Sequence, residues 1–147
     1  MRKKGENRFS RINFLRWSRS ALRIQIRRSV INGILDYAKI YHPREGVLLL
    51  KGKVKEGTIM VEDIEIPPLN VQGESFSAFP LNMLPLDFSI VGTAHSHPSG
   101  VLMPSVSDLN NFYGRMMIIV AYPYKSEADL IVIDRKGERL NYELIEE

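Results

Sequence analysis

The 147-residue sequence contains no cysteine. No disulfide can staple it, and at this length none is required, because such a chain buries about two-thirds of its unfolded surface. The lack fits a reducing, cytoplasmic setting. It also excludes chemistries. A cysteine protease would have no nucleophile. The zinc nucleobase deaminases, built on a layered α/β plan, need H-x-E and P-C-x-x-C, and neither motif is present. No apolar run approaches the roughly 18 residues that mark a membrane span. No apolar h-region suggests a secretory signal. Internal repeats and low-complexity tracts are missing as well.

Acidic residues are scarce at one end. Residues 1–28 carry ten basic side chains against one acid, Glu6, about +9, which leaves ten against sixteen, about −6, for the rest. The overall +3 therefore hides a basic N-terminal stretch ahead of an acidic remainder, and the chain reads as a basic arm, residues 1–20, followed by one domain, residues 21–147. Such an arm suits an organellar transit signal, or binding to nucleic acid or a membrane surface. It also suits a solvated tail that packs through Phe9, Ile12, Phe14, Leu15 and Trp17.

From Leu22 to Arg27 apolar and polar residues alternate, as in a half-buried strand. Ser29 is placed to cap a following helix, whose apolar residues Val30, Ile31, Ile34, Leu35 and Ala38 recur at helical spacing until Pro43 stops it. Gly46–Val54 reads as a buried strand and Thr58–Ile66 as its return, with Asp63 breaking the alternation as a bulge would. Between Pro67 and Pro80 a loop holds a brief strand, Ser75–Phe79. An apolar run, Phe88 to Val91, opens the next strand. A helix follows from about Val106 to Tyr113 or Met116, with Leu109, Phe112 and Met116 on one face. Met117–Tyr122 is another strand. Ala128–Asp134 and Arg139–Ile145 flank Lys136-Gly137 and read as a terminal hairpin. Strands interleaved with two separate helices predict an α/β fold, a mixed sheet with helices on its faces.

The densest chemistry lies in Val91–Asp108. His95 and His97 are two apart, so a strand turns both imidazoles to one face. Pro98 and Gly100 end that strand. Ser105 and Asp108 then stand at a helix start, from which Asp108 can reach back. Two imidazoles and one carboxylate leave a tetrahedral Zn2+ one open position, the ligand count of a catalytic site. Each piece also has a plainer reading. Two strand histidines are often satisfied structural residues, and S-x-x-D before an apolar run is a capping box. Their conjunction at this spacing favours the metal.

The pattern resembles the signature of the JAMM (MPN+) zinc metalloproteases, in His95-Ser96-His97-Pro98, Ser105 and Asp108. That family also uses an upstream glutamate in P-x-E-x-x-G-x-x-x-G. Here Pro43, Glu45 and Gly52 match, and Leu48 replaces the middle glycine. The resemblance covers roughly residues 22–145. It implies a curved, partly closed mixed sheet between helices, related to the deaminase architecture. It further implies one Zn2+ per chain on His95, His97 and Asp108, Glu45 as general base, and Ser105 as oxyanion donor. The implied activity is isopeptide hydrolysis, releasing a ubiquitin-like modifier from lysine, or processing of a sulfur-carrier protein or small conjugate. Ser75, Phe76 and Ser77, with Val101, Leu102 and Met103, are the expected walls of a substrate groove. The alternatives are a non-catalytic scaffold of the same fold, and a nucleic-acid-associated protein using its arm. His42, at a helix end where a cation is mildly favoured, is left outside the site.

Overall fold

The computed structural model describes residues 23–67 and 87–146. The basic arm, the strand expected at Ser75–Phe79 and the groove residues Ser75, Phe76 and Ser77 lie outside them.

Seven strands form one mixed sheet: β1 (Arg23–Arg27), β2 (Val47–Lys55), β3 (Thr58–Glu65), β4 (Ile90–His97), β5 (Met116–Ala121), β6 (Leu130–Ile133) and β7 (Glu143–Ile145), in the order β6-β5-β4-β2-β3-β1-β7. β2 runs antiparallel to both β3 and β4, β4 is parallel to β5, and β5 is antiparallel to β6. β1 lies parallel to β3 on one side and to β7 on the other. The helices are α1 (Arg28–Tyr41) and the short α2 (Val106–Asn110). Neither is long and apolar enough to cross a membrane, nor is any other helix among the described residues.

Strands β4, β5 and β6 are buried on both faces of the sheet, while β1, β3 and the second half of β2 are partly exposed. α1 turns Val30, Ile31, Ile34, Leu35 and Ala38 onto one face, an apolar stripe at the period a core-facing helix needs. There they meet Ile24, Ile26, Leu48, Leu50, Ile118, Val120 and Val132. On the opposite face Met117, Ile119, Ile131 and Ile133 are covered by Leu102, Leu109 and Phe112, from the segment between β4 and β5. β5 is buried along its whole length, as a strand covered on both faces must be.

Four local expectations are corrected. α1 begins at Arg28 after an Arg27 N-cap with no side-chain bond, so Ser29 is already inside the helix and does not cap it. Phe88 does not enter β4; it sits on the turn before it, almost fully exposed. α2 ends at Asn110, and Met116 opens β5 instead of closing a helical face. The chain reverses at Gly114, whose φ of +82° suits glycine, and a Cβ there would lie 2.6 Å from the Val91 carbonyl oxygen. The last correction is topological. A single bridge, Ile133 to Arg139, begins the hairpin; β7 then leaves β6 and docks against β1 at the far edge. Arg23 and Gln25 hold the Glu143 carboxylate at 2.9–3.1 Å, Arg28 grips Glu146 through two nitrogens, and Leu144 packs against the α1-side core.

The bulge is present one residue from its expected place. Lys51 faces Asp63 and Gly52 faces Val61, so Glu62 is the extra residue.

Candidate functional site

β4 lies inside the sheet, between β2 and β5. Its alternation assigns side chains to faces: Ala94 and Ser96 turn to the α1 side, while Thr93, His95 and His97 turn to the other. Both imidazoles are buried, with His95 2 % and His97 8 % exposed. Beyond His97 the chain turns, Gly100 N–H donating to the His97 carbonyl at 3.1 Å. The following loop brings α2 back over the strand end, with Asp108 in its first turn.

Asp108 joins the cluster. Its Oδ1 lies 3.1 Å from His95 Nδ1 and its Oδ2 2.9 Å from His97 Nε2. Oδ2 also accepts the Ser105 N–H at 2.8 Å, and the Asp108 N–H donates to Ser105 Oγ at 3.0 Å. The capping box is therefore real, and it shares its carboxylate with both histidines. The two readings of S-x-x-D describe one arrangement: the cap locks the aspartate's rotamer toward the imidazoles. Each ring is also held from behind, His95 Nε2 by Thr93 Oγ1 at 3.0 Å and His97 Nδ1 by the Val101 carbonyl at 2.9 Å. Backing of this kind fixes which nitrogen faces inward.

The protonation states follow. Burial pushes the Asp108 carboxyl up, but hydrogen bonds from His95, His97 and the Ser105 amide prevail and hold it well below the usual carboxylate range. Burial dominates at His95 and lowers its pKa despite Asp108. His97 also feels burial as a lowering, but Asp108 and the Val101 carbonyl outweigh it and its pKa is raised. Both His97 nitrogens face acceptors, which favours the charged form of the ring.

As they stand, the three side chains bond to one another, and no group of three or more His, Cys, Asp or Glu among the described residues is arranged to hold a metal ion. Their chemistry nevertheless suits a divalent ion. Two buried imidazoles converge on one carboxylate that is held well below its usual range. Zinc takes this donor set, two histidines and an aspartate.

Glu45 lies exposed on the loop between α1 and β2, and its charge is a minor upward influence on both His95 and His97 that burial overrides at His95. Ser105 is exposed at the N-cap. Of the expected groove wall, Val101 and Met103 are exposed, at 51 % and 63 %, and Val106 joins them at 77 %. Leu102 instead turns inward onto the second core. His42 caps the C-terminus of α1, stacked on Tyr122 at 4.6 Å, with Nδ1 3.3 Å from the Tyr124 hydroxyl. Three supports escaped the sequence reading: Thr93, the Val101 carbonyl and Ser96. Thr93 had a signal, since it shares the histidines' strand parity. A main-chain carbonyl gives none.

The family of prokaryotic homologs of the JAB domain matches residues 27–132. A protein of Haloferax volcanii described as a "Probable metalloprotease" is 34 % identical over 131 residues, 84 % of this chain and 81 % of that one. A JAB1/MPN domain protein from Archaeoglobus fulgidus superposes with a TM-score of 0.62 at 33 % identity, covering 82 % of this chain and 98 % of the other. A structure described as a JAMM metalloprotease-like zinc site in the proteasome and signalosome matches at 30 % identity and a TM-score of 0.60, over 83 % and 97 % of the two chains. The curled mixed sheet with its helices is the JAB/MPN fold, and the chain belongs to the prokaryotic JAB/MPN family of JAMM-type metalloprotease domains.

Proposed function

We propose that this chain is a zinc-dependent isopeptidase that cleaves the bond between the C-terminus of a ubiquitin-like modifier and a lysine amine. The observation that carries the reading is Asp108 bonded to both buried imidazoles. His95, His97 and Asp108 would hold the ion. When bound, zinc supplies a Lewis acid and lowers the pKa of water to about 7.

The chain's own residues do the rest. Glu45 takes the proton of the attacking water and passes it to the departing amine. The water oxygen bonds to the carbonyl carbon, the carbon–nitrogen bond breaks, and a carboxylate and an amine leave. The Ser105 Oγ accepts the Asp108 amide, which leaves its own proton for the charge developing on the carbonyl oxygen. The exposed apolar edge of Val101, Met103 and Val106 suits an extended, side-chain-poor tail such as a diglycine, laid alongside as a strand would be. The relative described as a zinc site in the proteasome and signalosome favours a modifier over a free peptide.

The test is hydrolysis of a modifier joined through its C-terminal diglycine to a lysine ε-amine, beside a sulfur-carrier conjugate. The zinc-loaded protein is expected to release the modifier. A chelator should stop it, and Glu45→Gln should lower kcat about 10⁴-fold, the upper range for proton transfer by a positioned side chain, with fold and zinc intact. Cleavage of the sulfur-carrier conjugate alone would move the substrate class. Equal turnover by Glu45→Gln and the parent would remove Glu45 from the mechanism.

A further inference from the structure

Ser96 stands between the two histidines yet faces the other way. It is buried, 3 % exposed, on the α1 side of β4. A hydroxyl in a core needs a partner, and this one is specific. Ser96 Oγ accepts the Gly46 N–H at 2.7 Å, while the Ser96 N–H donates to the Gly46 carbonyl at 3.1 Å. Both main-chain polar groups of Gly46 are thus held by one residue, a step beyond the Val47–His95 pair where the β2–β4 ladder begins.

The residue before Gly46 is Glu45. The amide that Ser96 holds belongs to the Glu45–Gly46 peptide, so this bond fixes the plane on which the glutamate side chain stands. The position is a glycine packed against two tyrosine rings. A Cβ at Gly46 would lie 2.8 Å from Tyr37 Cε1 and 3.4 Å from Tyr41 Cδ2, rings stacked on each other at 4.9 Å. Glycine fits over this pair but is the residue with the widest backbone freedom. The Ser96 hydroxyl restrains the peptide that carries Glu45 directly, whereas the bond to the Gly46 carbonyl restrains the next peptide along.

We infer that Ser96 is a positioning residue: through the Gly46 amide it sets the direction of the Glu45 carboxylate, so that one strand segment fixes the histidines on one face and the proton-transfer group from the other. The inference rests on Glu45 having the role given above, but its structural half does not.

The experiment uses the full chain, zinc-loaded, with Ser96→Ala and Ser96→Thr. Gly46 amide exchange and turnover of the modifier–lysine conjugate are read together. Ser96→Ala is expected to speed Gly46 exchange at least about tenfold while Leu48 and Leu50 stay protected. It should lower kcat about 10- to 100-fold, the usual scale for groups that orient a reacting residue, with KM within about twofold and one zinc retained. Ser96→Thr keeps the acceptor and should restore both readouts. If Ser96→Ala does not fold, Ser96→Cys keeps the volume with a weak acceptor and carries the same expectation. Unchanged Gly46 exchange, or faster exchange with unchanged kcat, overturns the inference, as does a kcat loss that Ser96→Thr fails to rescue. If the parent itself leaves the conjugate intact, the proposed function falls, and Gly46 exchange alone decides the positioning claim.

Discussion

The two faces of the sheet are built to different standards. Under α1 a continuous aliphatic core joins the helix to β1, β2, β5 and β6. The opposite face has Met117, Ile119, Ile131 and Ile133 covered by three side chains of the segment between β4 and β5, and the histidine–aspartate cluster lies on that same side. β4 serves both. Ala94 and Ser96 go to the core, Thr93, His95 and His97 to the cluster, separated only by strand parity. The lesson is that stability and chemistry are divided across a single strand. Substitutions one residue apart should fail in different ways.

The largest expected effect lies on the α1 side. Ile118 is fully buried there, and Ile118→Ala should cost about 2–5 kcal/mol of unfolding free energy. Denaturant titration reads it, and activity per folded molecule should be unchanged. A loss of specific activity at constant stability would break the division of the faces.

Ser105→Ala sharpens the comparison from the other side. Loss of the oxyanion donor should lower kcat about 10²–10³-fold, while loss of the helix cap costs only about 1 kcal/mol of stability. If turnover is unaffected and only the melting temperature falls, the serine is a cap and nothing more.

The smallest effect is a pH dependence of the metal-free protein. His97 has a raised folded pKa, so its contribution is complete below the unfolded value of about 6.5 and fades as pH rises through the folded one. His95 has a lowered folded pKa. The unfolded chain takes that proton first, so stability is lost as pH falls below about 6.5 toward the folded value. The two oppose each other in the parent. His95→Gln should leave stability declining as pH rises, and His97→Gln should leave it declining as pH falls, read as urea midpoints between pH 5 and 8. Equal slopes in the two variants would contradict the assigned protonation states.

Local periodicity made much of the fold legible. The alternation from Arg23 to Arg27, the helical spacing of Val30 to Ala38 and the apolar runs of β2 and β5 each specify one element. What failed was non-local or close to an element's end. Nothing around Arg139–Ile145 says that it pairs with β1, since its guides, Arg23, Gln25 and Arg28, lie more than a hundred residues away in sequence. Leu109, Phe112 and Met116 mimic a helical face, but Gly114 reverses the chain between the last two. At the site, residue types and spacing announced the cluster of His95, His97 and Asp108, because imidazoles and a carboxylate at that spacing are chemically distinctive. The sequence pattern could not show that Asp108 would serve the cap and both histidines at once, or that Ser96, which strand alternation turns away from them, would hold Gly46.

Zinc content tests the central claim most directly. The parent, Glu45→Gln and the His95→Ala/His97→Ala double variant should be purified alike and measured by elemental analysis. One zinc per chain is expected in the first two and none in the third, with all three folded. Unchanged zinc in the double variant would contradict the account, because the metal would then be held somewhere other than between His95, His97 and Asp108.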